Sequence, residues 1–121
     1  MVSGRSILVV EPDGSQAQLL AVAIERTCPG TQVDFASLEQ AATGALAPRI
    51  VILGMTASDG VAEDALTRLR EALGGVPLIA LIAPDGAPPD ALDAVYVQPS
   101  EWRALCATMR ELLDAWFAPP P

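Results

Sequence analysis

Residues 48–54 read Pro-Arg-Ile-Val-Ile-Leu-Gly, with Ile50, Val51, Ile52 and Leu53 unbroken between a proline and a glycine. The run is rich in β-branched residues and too short for a buried helix, so it reads as a strand. A strand that is apolar at every position needs cover on both faces, as a central strand of a parallel sheet has. In open parallel sheets, ligands and chemistry gather at the carboxyl ends of the strands, near the point where strand order reverses. The residue at that end here is Gly54, which brings no functional group.

Two more runs share this character, Ser6–Val10 (SILVV) and Pro77–Ala83 (PLIALIA). Thr31–Ala36 (TQVDFA) differs, because Gln32 and Asp34 alternate with Val33 and Phe35, leaving one wet face as at a sheet edge. Ala94–Val97 reads as a short fifth strand. Between strands the helical signals are plain. Ser15 with Gln18 forms a capping-box pattern for a helix that ends near Thr27 at Cys28-Pro29-Gly30, with Leu20 and Ile24 on its apolar stripe. Ser37 with Gln40 does the same for a helix over about Leu38–Ala47. Gly54–Gly60 reads as a polar loop. The helix after it sets Val61, Ala65, Leu66, Leu69 and Leu73 against Glu63, Arg68, Arg70 and Glu71, and stops at Gly74-Gly75. A final helix from about Ser100 places Trp102, Leu105, Cys106, Met109, Leu112, Leu113 and Trp116 on one stripe, with Arg103, Arg110, Glu111 and Asp114 outside it.

Strands alternating with helices give an α/β, flavodoxin-like doubly wound sheet of five parallel strands in the order 2-1-3-4-5. One crossover is defective. Pro84, Gly86, Pro88 and Pro89 fill the interval between the fourth and fifth strands, so the fourth helix is expected to be missing or reduced to about one turn, at Asp90–Ala94. Residues 1–117 are expected to form one domain, and the proline tail 118–121 a free end or the start of a linker.

The chain has 121 residues, enough for one core, and 51% of them are hydrophobic, which argues against disorder. No run is long enough to span a membrane. The apolar run after Arg5 stops at Glu11, too short for a signal-peptide core, so a cytoplasmic protein is expected. Fifteen acidic and seven basic side chains give a net charge of −8, which disfavours nucleic acid and anionic lipid as partners of this domain. With no histidine there is no Ser–His or Cys–His pair and no ordinary zinc site; Cys28 and Cys106 read as small buried hydrophobes.

Taken in order, ILVVEPD at the first strand, PRIVILG at the third, Asp59-Gly60, PLIALIA at the fourth and YVQPSE at the fifth resemble a response-regulator receiver (CheY-like) domain over nearly the whole chain. In that family an acidic pair after the first strand holds magnesium and an aspartate ending the third strand accepts a phosphoryl group. A Thr or Ser ends the fourth strand, and a Lys precedes proline after the fifth. At the matching positions stand Glu11 and Pro12, with Asp13 beside them, then Gly54, Ile82 and Gln98. The switch aromatic falls at Val95, with Tyr96 one place out of phase, and the loop after Gly54 is short and lacks the usual proline. The resemblance therefore implies a degenerate pseudo-receiver, without phosphoacceptor, catalytic group, metal or other cofactor. Magnesium takes one or two carboxylates, and Pro12 and Gly54 supply none.

The remaining acids have plainer roles: Asp13 as a cap of the first helix, Glu11 as a residual pocket acid, Asp59 as an N-terminal helix cap. Ile82 is expected to help pack the pocket. The function expected is a phosphorylation-independent signalling and protein-interaction module, binding a protein partner or a second copy. A small-molecule or nucleotide sensor using the vacated pocket is the alternative, as is a regulatory input domain of a longer signalling protein. Loss of the crossover helix leaves one face of the last strands under-covered. The candidate interaction surface is Val95 and Val97, with Arg103 and Arg110 on the adjoining final helix. The competing expectation is that the 84–93 loop folds back over those valines.

Overall fold

Three of the five strands have no exposed residue. In the computed structural model, which describes residues 6–44, 47–59, 61–87 and 92–117, β1 (Ser6–Val10), β3 (Ile50–Leu53) and β4 (Leu78–Ile82) are buried at every position. Each is an apolar run, so each needs cover on both faces and takes the middle of the sheet. β2 (Gln32–Phe35) and β5 (Ala94–Val97) form the edges, and all pairs are parallel in the order β2-β1-β3-β4-β5.

The two faces build two cores. On one, Ile7, Val9, Ile50, Ile52, Ile79 and Leu81 pack with Leu20 and Ile24 of α1 (Gly14–Thr27) and with Leu105, Met109, Leu112 and Leu113 of α5 (Trp102–Trp116). Burial of each such side chain is worth about 1.5–3 kcal/mol. Trp102, Trp116, Cys28 and Cys106 border this core half-buried, and Phe117 closes it beneath the Arg49 guanidinium, 5.6 Å from the ring centre. On the other face Leu8, Val10, Val51, Leu53, Leu78 and Ala80 meet Ala41 of α2 (Leu38–Ala41), Ala57 of α3 (Met55–Ser58), and Leu66 and Leu69 of α4 (Glu63–Leu73). Gly74, at φ +64°, ends α4 where a side chain would be strained.

The second face is incomplete. Between β4 and β5 the described residues hold no helix; Ala94, expected at the end of a helical turn, lies in β5, and residues 88–91 fall outside the described set. Ala94 and Tyr96 lean on the first core, which turns Val95 and Val97 to the other face, where they are 38% and 48% exposed. Residues 84–87 are themselves exposed and leave both valines uncovered. The segment is anchored at its exit, where the Asp93 carboxylate accepts from the Leu78 amide at 2.7 Å and pairs with Arg70 at 3.1 Å.

Several local expectations are corrected. Asp13 caps α1, the role expected of that acid, its carboxylate accepting from the Ser15 and Gln16 amides; what is corrected is the Ser15–Gln18 pattern, which does not start the helix. The Ser37–Gln40 capping box forms, but α2 is only four residues long and turns off through Gly44 (φ +73°) rather than reaching Ala47. The polar loop after Gly54 contains the one-turn helix α3, and Asp59 ends it instead of capping α4, whose N-cap is Ala62. Phe35 is 50% exposed, so the apolar side of the edge strand is not dry. Gly60 and the tail 118–121 lie outside the described residues. Among the described residues no helix is long and apolar enough to cross a membrane.

The two readings of the α1 start separate by mutation. In urea melts Asp13→Ala is expected to cost about 1 kcal/mol, the usual loss for an N-cap. Ser15→Ala is expected to stay within about 0.5 kcal/mol, as surface changes do. Equal losses would return the cap to Ser15.

Candidate functional site

The β1–β3 register pairs Val10 with Leu53, so the next residues along, Glu11 and Gly54, come side by side at the carboxyl end of the sheet. Glu11 is 8% exposed, and a buried carboxylate needs hydrogen-bond donors. It has two. Oε2 accepts from the Asp13 amide at 2.8 Å, and Oε1 accepts from the Thr56 amide at 2.9 Å, across 45 residues of sequence. The first bond holds the turn into α1 and the second the first turn of α3, so one side chain fastens the exits of both central strands.

Gly54 is what admits that side chain. Its backbone is ordinary, with φ −68° and ψ 169°, so conformation does not demand glycine. Space does. A Cβ built on Gly54 runs into Glu11 Oε1, with Cδ at 2.8 Å and Cβ at 2.9 Å. The carboxylate tip is able to swing away; the Glu11 Cβ is fixed to the strand and is not. The Gly54 amide bonds to the Val10 carbonyl at 2.9 Å and its carbonyl accepts from Ser58 at 2.9 Å, so the backbone here has little freedom to retreat.

The other expected site residues separate into two groups. Pro12 is exposed on the far side of Glu11, and Asp13 is taken up in capping α1. Ile82, 9% exposed, forms part of the wall of a cleft of about 490 Å³ with Met55, Thr56, Ser58 and Asp85. Gln98 is 6% exposed; its amide bonds to the Ile82 carbonyl at 2.8 Å and its side-chain nitrogen donates to Gln16 Oε1 at 2.9 Å. Gln98 Oε1 is buried with no hydrogen-bond partner. Glu11, Asp13 and Gly54 are thus brought together by direct contact, while Gln98 is engaged with α1 and linked to Ile82 through the backbone. Among the described residues no group of three His, Cys, Asp or Glu side chains is placed to hold a metal ion.

Two participants escape a reading of the sequence. The Thr56 amide lies in a segment whose residues read as loop, and only its one-turn helix aims that N–H at Glu11. Gln16 meets Gln98 across 82 residues, a pairing no local pattern announces.

The fit between Glu11 and Gly54 has a thermodynamic signature. Gly54→Ala is expected to destabilise the fold by about 1–3 kcal/mol, as overpacking does. In a Glu11→Gly background, which removes the Cβ as well as the carboxylate, the same substitution is expected to cost almost nothing, and a double-mutant cycle in urea reads the difference as coupling. Equal costs in both backgrounds would mean the two positions do not share the space.

No family model matches the sequence, and no curated protein matches it. Solved structures do. A response regulator of red-light signalling from R. palustris superposes with a TM-score of 0.77 at 20% identity, over 96% of this chain and 97% of that one. The phosphorylated cyanobacterial phytochrome response regulator RcpA gives 0.73 at 11% identity, over 98% of both chains. A response regulator from Hahella chejuensis gives 0.72 at 15% identity, over 94% of this chain and 96% of that one. At these identities the likeness is one of fold: the chain has the architecture of response-regulator receiver domains.

Proposed function

We propose that the chain is a pseudo-receiver, a signalling module on a receiver-like fold that works without phosphoryl transfer and docks a protein partner in the cytoplasm. The observation that carries this reading is the seating of Glu11 against Gly54. An aspartate ending β3 would have to place its Cβ where the Glu11 side chain already lies. A divalent ion fits poorly for the same reason. Such ions are held by several hard oxygens, whereas both Glu11 oxygens already accept backbone amides and the Asp13 carboxylate caps α1. Pro12 and Gly54 add no carboxylate, and Ile82 and Gln98 stand at the positions matching the hydroxyl and the lysine. With no acyl-phosphate to form, no enzymatic role and no cofactor enter the reading.

Output then rests on shape. The face beside β5 offers Val95 and Val97, exposed on an edge strand, while the exposed Arg103 and Arg110 lie on α5, which packs against the opposite face of the sheet and does not join them in one patch. An exposed apolar patch at a sheet edge is a usual form of a protein-docking surface. The net charge of −8 disfavours nucleic acid as that partner.

A Val95→Lys, Val97→Lys double mutant tests the surface. It is expected to remain folded, with the circular dichroism of the parent, and to lose a partner that the parent retains in pull-down; light scattering distinguishes a second copy from a different protein. Unfolding would place both valines in the core, and undiminished association would move the interface elsewhere.

A further inference from the structure

On the far side of α3 from the Ile82 cleft, a second groove of about 560 Å³ opens between the chain leaving β2, α3 and the start of α4. It lies beside β1 and β3, where the strand order reverses, the position at which open α/β sheets bind ligands. Its volume is in the range of small-molecule sites. The walls are apolar: Phe35, Leu38, Ala57, Val61 and Ala65. Phe35, at the end of an edge strand, is half exposed, belongs to neither core and is among the residues that line the groove.

The polar groups around the groove limit what it accepts. Ser37 and Gln40 are spent on each other's backbone amides in the capping box. The Glu11 oxygens are each filled by a backbone N–H. Two polar side chains remain, both exposed: the neutral Thr56 hydroxyl and Asp59, the one free charge of the lining, whose carboxylate makes no hydrogen bond or ion pair among the described residues. No lysine or arginine lines the groove. A phosphate or carboxylate ligand would meet negative charge and no counter-charge, which removes nucleotides from consideration.

We infer that this groove is a binding site for a small hydrophobic amine. The apolar body lies against Phe35, Leu38 and Val61, and the ammonium reaches Asp59, with the face of Phe35 as a second source of attraction for the cation. The inference uses neither the missing crossover helix nor the β5 surface, so it stands or falls apart from the docking reading.

Three naphthalene probes of one shape test it: 2-naphthylmethylamine, 2-naphthylmethanol and 2-naphthylacetate, each titrated into the ¹⁵N-labelled chain. The expected result is saturable shifts of the amides at 35–38 and 59–65, strongest for the amine, weaker for the alcohol and absent for the acid. Asp59→Asn, a change at an exposed position, is expected to erase the amine's several-fold advantage over the alcohol while the alcohol still binds. Ala65→Phe, which fills the groove, is expected to abolish both. Shifts confined to other residues, absence of any saturable shift, or an amine preference that survives Asp59→Asn would each overturn the assignment.

Discussion

The Glu11 carboxylate, held by the amides of Asp13 and Thr56 against the bare Cα of Gly54, is the constraint on which this strand end depends. A carboxylate that is 8% exposed persists only if its oxygens are satisfied, and removing either donor leaves a costly buried acceptor. The turn into α1 and the single turn of α3 supply those donors, so the local backbone and the buried acid support each other. Gly54 is a steric requirement of the arrangement and not a conformational one. The position where chemistry is expected in this architecture is therefore filled by a structural interaction.

A second constraint comes from the sheet. Three strands buried at every position require two covered faces, and α1 with α5 completes the first. The second is covered by α2, α3 and α4 only as far as β4. Among the described residues no helix lies between β4 and β5, and Val95 and Val97 of β5 are exposed. The seating of Glu11 against Gly54 and the exposure of Val95 and Val97 are separate features of the domain, one at the strand ends and the other at the sheet edge.

How much of this is legible in the sequence varies with range. The strands of IVIL, SILVV and LIALI are visible because continuous apolar runs have few alternatives in water, and their order follows from the polar alternation of Gln32 and Asp34 at the edge. That the described residues between β4 and β5 hold no helix agrees with the prolines of that interval, since proline is not tolerated in a helix interior. Competition between local signals is harder: Ser15–Gln18 fits a capping box, yet Asp13 lies closer to the strand exit and captures the first amides. The short α2, the one-turn α3 and the exposed ring of Phe35 depend on what packs over them, which periodicity does not encode. In the sequence Glu11, the acid that stays in register with a receiver pattern, and Gly54, a departure from that pattern, read as unrelated. That each explains the other becomes visible only in the register of β1 against β3.

The most direct test of the central claim is exposure of the chain to acetyl phosphate, and in parallel to beryllofluoride, with excess magnesium, followed by intact mass and by amide spectra. The account predicts an unchanged mass and amides at 11, 13, 54–59 and 82–83 that do not move. A stoichiometric phospho-adduct that disappears on mutation of Asp59, Asp13 or Glu11 would contradict it.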